Sequence, residues 1–131
     1  MRFTPLIILL VSLGMVGCDS DTTAPTTGKI ISVSGDLAFG NVKVGTTAQR
    51  TFTISNSGNQ ALTFNGVTAT GGTGTTGYTA SPVSGTVQPG SSVTVTVSFT
   101  PPSTGLFSTL ANITSDATSG NASISVSGTG I

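Results

Sequence analysis

The chain has 131 residues and no net charge, and only 6% of it is charged, against roughly 25% in an average soluble domain. His, Glu and Trp are absent and there is one Cys, so the sequence offers no imidazole base, no zinc ligand set and no internal disulfide. Four basic side chains are too few for the several phosphate contacts that nucleic-acid binding needs.

The first segment, Met1 to Gly17, carries Arg2, then the apolar run Leu6 to Leu13 broken by Ser12, then Gly14, Met15, Val16 and Gly17. The run is shorter than the roughly 20 apolar residues of a membrane-spanning helix. A basic start, a short apolar middle and small residues before a cut site predict a secretory leader. Residues Met15-Val16-Gly17-Cys18 resemble the lipobox of bacterial lipoproteins, with Met15 where Leu is usual. That resemblance implies that Cys18 becomes the mature N-terminus, carrying thioether-linked diacylglycerol and an N-acyl chain such as palmitate. Each buried methylene contributes about 0.8 kcal/mol, and stable anchoring takes two chains. The competing reading is a secreted protein whose leader happens to contain a Cys.

Cys18 to Gly28 follows as a tether, rich in Thr, Pro and Asp and without apolar periodicity. Fully extended, its length beyond the Cys reaches about 35 Å. Asp19 next to Cys18 resembles a retention signal for the inner membrane in some bacteria, so either membrane remains open. Asp19 and Asp21 alone are a poor divalent-cation site and read as a solvated linker.

Residues 29–131 make one domain. No helical periodicity appears, and β-branched Thr, Val and Ile dominate with period-two alternation. In Val93-Thr94-Val95-Thr96-Val97-Ser98-Phe99 the apolar residues share one face and the hydroxyls the other. Gln88-Pro89-Gly90-Ser91 supplies the turn before it, and Pro101-Pro102 ends it. Similar alternation is expected at Ile31–Val33, Leu37–Phe39, Val42–Val44, Phe52–Ile54, Leu62–Val67, Phe107–Ile113 and Ile124–Val126. Asn56-Ser57-Gly58-Asn59 reads as a strand stop and Asn65-Gly66 as a bulge or turn. About seven short strands, with turn signals roughly every ten residues, predict an all-β, two-sheet antiparallel sandwich.

Leu37-Ala38-Phe39-Gly40-Asn41-Val42-Lys43-Val44-Gly45 resembles the opening L-x-F-G-x-V-x-V-G of ASH domains, the Ig-like modules named for ASPM, SPD-2 and Hydin. Thr51-Phe52-Thr53-Ile54-Ser55-Asn56-Ser57-Gly58, Gln88-Pro89-Gly90, the Val93–Pro101 strand, Gly105, Ser115-Asp116 and the closing Val126–Gly130 follow the same pattern in order. The chain is thus similar to bacterial lipoproteins with one ASH-type domain of the choice-of-anchor D kind. The family implies an Ig-like sandwich with a scaffold or interaction role and no catalytic residues. Ala111 departs from it by standing where Leu is common, with Leu110 on the other face, which predicts a thin spot in the core.

Other signals carry less. Gly72-Thr73-Gly74-Thr75-Thr76-Gly77 satisfies G-x-G-x-x-G, but neither a helix nor an acid about 20 residues on follows. The loop from Thr70 to Gly77 is expected to be a mobile connection or a contact surface. Asn112-Ile113-Thr114 and Asn121-Ala122-Ser123 match a glycosylation pattern that chance readily produces in a chain with 25 Thr and 18 Ser. Tyr78 is expected as a half-buried anchor, and Lys43 and Arg50 as edge guards, with an ion pair to Asp36 open to Arg50 or Lys43.

The reading is a non-catalytic envelope lipoprotein, held on the inner or outer membrane by lipid at Cys18. Its domain would lie in the periplasm or at the cell surface, as a structural or protein-interaction module. No cofactor, metal, nucleic acid or small-molecule substrate is expected. The alternatives are a carbohydrate- or ligand-binding domain using residues 70–78, and a surface protein that associates with itself edge to edge.

Overall fold

The structure, a computed structural model, describes residues 27–131; the leader, Cys18 and most of the tether lie outside the described residues. Ten strands form: β1 (Ile30–Gly35), β2 (Leu37–Val42), β3 (Ala48–Asn56), β4 (Leu62–Thr70), β5 (Tyr78–Ser81), β6 (Gly85–Val87), β7 (Ser92–Phe99), β8 (Gly105–Ser115), β9 (Ser119–Gly120) and β10 (Ser123–Gly130). They build two five-stranded sheets, in the orders β5-β7-β3-β1-β9 and β2-β10-β8-β4-β6. The all-β sandwich expected from the alternation is what forms. It holds more strands than expected because β5, β6 and β9 are too short to show a period.

Two pairings are parallel. β1 lies parallel to β9, and β2 parallel to β10. The chain leaves the first sheet at Gly35, turns at Asp36 and enters the second at Leu37, so one continuous extended stretch supplies a strand to each sheet. Asp36 fixes this corner by accepting a hydrogen bond from the Ala38 N–H at 2.9 Å.

The core is the inward set of both sheets. Phe52, Ile54, Leu62, Phe64, Val95 and Phe99 are all at most 1% exposed. At one end, Phe99 stacks on Tyr78 at 4.4 Å and meets Phe39 and Phe107 in tilted pairs at 5.5 and 5.6 Å, a spacing that favours aromatic rings beyond their burial. Ala111 is buried while Leu110 and Leu106 face outward. A small apolar cavity of about 50 Å³ lies beside Ala111, Val97 and Val126, at the thin spot expected from that substitution.

Two expectations change in detail. Val42 is buried, but β2 ends there and Val44 is 36% exposed, because the chain turns at Gly45 with φ +77°. Arg50 sits on β3, an interior strand. It lies beyond the last β1 pairing, Gly35 with Phe52, so it flanks the stretch of β3 that only β7 covers.

Candidate functional site

Three places bring polar or reactive groups together, and each follows from how the strands end. The first is the junction after β3. Asn56 is 1% exposed, and its amide oxygen accepts the N–H groups of Ile30 (3.2 Å) and Gly58 (3.0 Å). Its amide nitrogen donates to the carbonyls of Gln60 (2.7 Å) and Val87 (3.0 Å). The side chain therefore ties β1, the β3–β4 turn and β6 together across both sheets. Nearby, Gly28 donates its N–H to Asn59 Oδ1 at 2.9 Å and accepts from the Asn59 and Gln60 N–H groups. Gly28, two residues ahead of β1, is thus docked on the domain.

The second is the Lys29–Asp116 clasp. The Lys29 ammonium pairs with Asp116 Oδ2, and the Thr63 N–H donates to Asp116 Oδ1 at 2.8 Å. The Lys29 hydrogen bond first, then the Thr63 N–H, holds the Asp116 carboxyl below the usual carboxylate range. Asp116 N–H in turn donates to Thr63 O at 3.0 Å. At the other corner, Arg50 Nη1 stands 4.0 Å from Asp36 Oδ2. That pair is exposed and worth little. These groups are pinned to one another, and Lys43 lies exposed past the end of β2. Among the described residues no three His, Cys, Asp or Glu side chains cluster as a metal site, and no helix is long and apolar enough to cross a membrane.

The third is the Gly71–Gly77 loop. It opens no helix, because β5 begins at Tyr78. Instead it lies down on β8 and the end of β7: Thr73 N–H donates to Ser108 O at 3.0 Å, and Gly77 O accepts from the N–H of Thr100, just past β7, at 2.8 Å. A Cβ on Gly72 would stand 1.8 Å from Ser108 O, and one on Gly74 2.6 Å from the Phe107 ring. The glycines are there for close approach to the sheet, which ties down a loop that composition alone describes as mobile. Tyr78 turns its ring into the core and donates its hydroxyl to Phe107 O at 2.9 Å. Burial pushes its phenol up to about 12. The sole Tyr of the chain is thus engaged by the core, and the loop presents no ring to a sugar.

Of the residues singled out in sequence, Cys18 lies outside the described residues. Asn112 and Asn121 use their side-chain amides locally, with Thr70 and Ser123. In the sequence Asn56 stands as a strand stop and as part of the Thr51–Gly58 motif, without a role of its own; the signal that could mark it is an Asn following an inward-alternating run, at a position where the parity of the strand points into the core.

Comparison with known proteins agrees with this architecture. A model of the HYDIN/CFA65/VesB-like Ig-like domain matches residues 29–129. No curated protein matches the chain. Among solved structures, the ASH/PapD-like domain 7 of human CEP192 superposes with a TM-score of 0.62 at 15% identity, covering 84% of this chain and 89% of that one. A Porphyromonas gingivalis protein of unknown function gives 0.63 at 17% identity, covering 85% of this chain and 51% of its own. The Vibrio cholerae VesB protease gives 0.51 at 17% identity over 76% of this chain and 31% of its own. The chain therefore spans about half of the second and under a third of the third, and at these identities the likeness is one of fold. An Ig-like, ASH/PapD-like domain fits a structural or interaction module and is typically non-catalytic. With its full domain length matched, the chain belongs to the HYDIN/CFA65/VesB-like Ig-like domain family, of the ASH type.

Proposed function

We propose that this protein is a membrane-anchored lipoprotein of the bacterial cell envelope, acylated at Cys18, whose Ig-like domain is a non-catalytic structural or protein-interaction module exposed in the periplasm or at the cell surface. The observation that carries the anchor is the position of the chain's one Cys, which closes an apolar leader too short to span a membrane.

The chemistry of the domain supports the non-catalytic half. Nucleophilic catalysis by Ser or Thr needs a base to activate the hydroxyl, and the chain has no His. Asp116 and Asp36 are taken up in ion pairs with Lys29 and Arg50, and the Tyr78 hydroxyl is bound to Phe107 O. A domain so equipped recognises partners by its sheet surfaces and edges.

The test is metabolic labelling with an alkynyl fatty acid, followed by membrane fractionation. The wild-type chain is expected to take up label and sediment with membranes, and Cys18→Ser to lose both. An unlabelled wild-type protein in the soluble fraction would overturn the anchor.

A further inference from the structure

β4 is covered on its outer side by β6 only at Leu62, Thr63 and Phe64. There the inward side chains Leu62 and Phe64 are fully buried. Past that point β4 pairs only with β8, and its inward residues Val67 and Ala69 are only partly buried. They line the small apolar cavity, together with Ala80 of β5. Along β4 the core is thus less covered where the strand lacks an outer neighbour than where β6 lies beside it.

The backbone of that stretch is open too. Ile113 donates its N–H to Ala122 O at 2.8 Å, on the β10 side of β8. In an antiparallel ladder a residue's N–H and C=O point to the same side and alternate along the strand. Ile113 and Ala111 therefore turn toward β10, and their partners Val67 and Ala69 turn their own groups away from β8, to the open edge. Thr70 has the opposite parity, as its carbonyl shows by accepting from Thr109 Oγ1 at 3.2 Å.

The remaining long edge is protected. β2 bulges at Gly40, with φ +67° and a register shift against Ser127 and Thr129. Its Ala38 N–H is taken by Asp36, and its inward Leu37, Phe39 and Val42 are buried. β5, β6 and β9 have four, three and two residues. The Val67–Thr70 edge has no charge, no Pro and no bulge of its own, which are the devices that keep strands from pairing with others.

We propose that this edge pairs antiparallel with the same edge of a second copy, about a two-fold axis at Thr68. In that register Val67 faces Ala69 of the second copy and exchanges both backbone hydrogen bonds with it, and Ala69 does the same with Val67 of the second copy. Parity is preserved: Val67 and Ala69 of both copies lie on the dry face, and the two Thr68 side chains meet on the wet face as a cross-strand Thr pair. The two β2-β10-β8-β4-β6 sheets become continuous and the two apolar clefts close on each other. Self-complementarity is what selects a second copy as occupant, since the free backbone groups, the inward apolar pair and the outward Thr all match themselves without a like-charge contact. One short strand pair buries less than the roughly 1,200–2,000 Å² of stable interfaces, so the pairing is weak in dilute solution. Each Gly28 lies at the opposite end of the paired strands, and tethers reaching about 35 Å allow both copies to anchor in one membrane with their strands along its surface.

The proposal rests on the reading of the domain as an interaction module and does not require Cys18 to be acylated. Thr68→Cys in the full chain, expressed in membranes and oxidised with copper phenanthroline, is expected to give a disulfide-linked dimer, because a non-hydrogen-bonded antiparallel pair brings its Cα atoms to about 4.5 Å. Ser125→Cys, exposed on β10, serves as the control and should not. In detergent at high protein concentration the wild-type full chain should sediment partly as dimers, and Thr68→Lys as a monomer with unchanged melting temperature. Cross-linking at Thr68→Cys no greater than at Ser125→Cys overturns the self-pairing, as does a Thr68→Lys chain that dimerises like the wild type. Fatty-acid incorporation measured on the same samples separates either failure from a failure of the anchor.

Discussion

Replacing Asn56 by Ala removes four hydrogen bonds from one buried side chain and leaves the N–H groups of Ile30 and Gly58 and the carbonyls of Gln60 and Val87 without that partner. A neutral hydrogen bond contributes about 1 kcal/mol net, and a buried group left unpaired costs about 1–3 kcal/mol. The bonds to Ile30 and Gln60 are only part-buried, so water can offset part of that cost. A loss of about 3–4 kcal/mol is expected, which for a domain of this size lowers the melting temperature by about 15–20 °C. Urea unfolding followed by circular dichroism measures it. A loss below about 1 kcal/mol would refute the account of Asn56 as the joint between the two sheets.

Asn56→Asp sharpens the test because it keeps the shape and changes one half of the amide. A carboxylate can still accept from Ile30 and Gly58, but its other oxygen would face the carbonyls of Gln60 and Val87, where the amide nitrogen now donates. Burial and those two carbonyls raise the pKa of the introduced group above the roughly 3.9 of an unfolded Asp. The folded state then holds its proton longer than the unfolded one, so the variant's deficit relative to wild type is smallest below about pH 4. It grows as pH rises toward the folded value. A deficit independent of pH between about 3.5 and 7 would show that the site tolerates the charge and that the donor half of the amide is not needed.

Asp116 gives the opposite pH dependence. Its pKa is lowered in the folded state by Lys29 and the Thr63 N–H, so its contribution is present above the unfolded value of about 3.9 and lost as pH falls through the folded value. Urea midpoints taken from neutral pH downward should fall in the wild type and much less in Asp116→Asn. Gly72→Ala should destabilise far more than Gly71→Ala, because both have positive φ but only Gly72 would drive a Cβ to 1.8 Å from Ser108 O, with nothing within 4 Å of Gly71. Strain from φ alone costs about 1–2 kcal/mol, and thermal melts of the pair separate strain from collision. Tyr78 is the sole Tyr and there is no Trp, so ultraviolet absorbance reads one phenol: ionisation is expected near 12 while the domain is folded, moving to about 10 on unfolding. Tyr78→Phe should lose about 1 kcal/mol through the bond to Phe107 O.

What could be read in the sequence depended on how long each pattern ran. Over β7, hydroxyl and apolar residues alternate for its whole length, and Val95, Val97 and Phe99 are buried as that parity requires. β5 and β6 offer four and three residues, too few to distinguish a period from a loop. Strand order was not legible, since alternation fixes which face a residue takes and says nothing of its lateral neighbour. The parallel placement of β9 on β1 comes from Thr118 and Asn121, whose N–H groups reach Lys29 O and Ile31 O across 89 and 90 positions of sequence. Asn56 failed to stand out for a related reason. The same residue that ends a strand in an exposed turn can, one parity step inward, become a buried joint, and only the packed sheets decide which.

A chain this poor in charge also has to manage its sheet edges by backbone geometry, and the places where it does so are informative. β2 carries a bulge, an Asp36-capped N–H and, at its end, the Ile131 N–H on Val42 O; the far half of β3 has Arg50 and Asp36; β5, β6 and β9 are short. β4 has its bulge between Phe64 and Gly66, one step before the point where it would be useful, and the strand resumes regular pairing with β8 through Thr70. That placement turns an edge device into the reverse: it ends the β4–β6 pairing and re-presents Val67 and Ala69, flat and uncharged, to whatever lies beside them. Thr68, exposed at the centre of that stretch, is where one added charge should decide between monomer and pair.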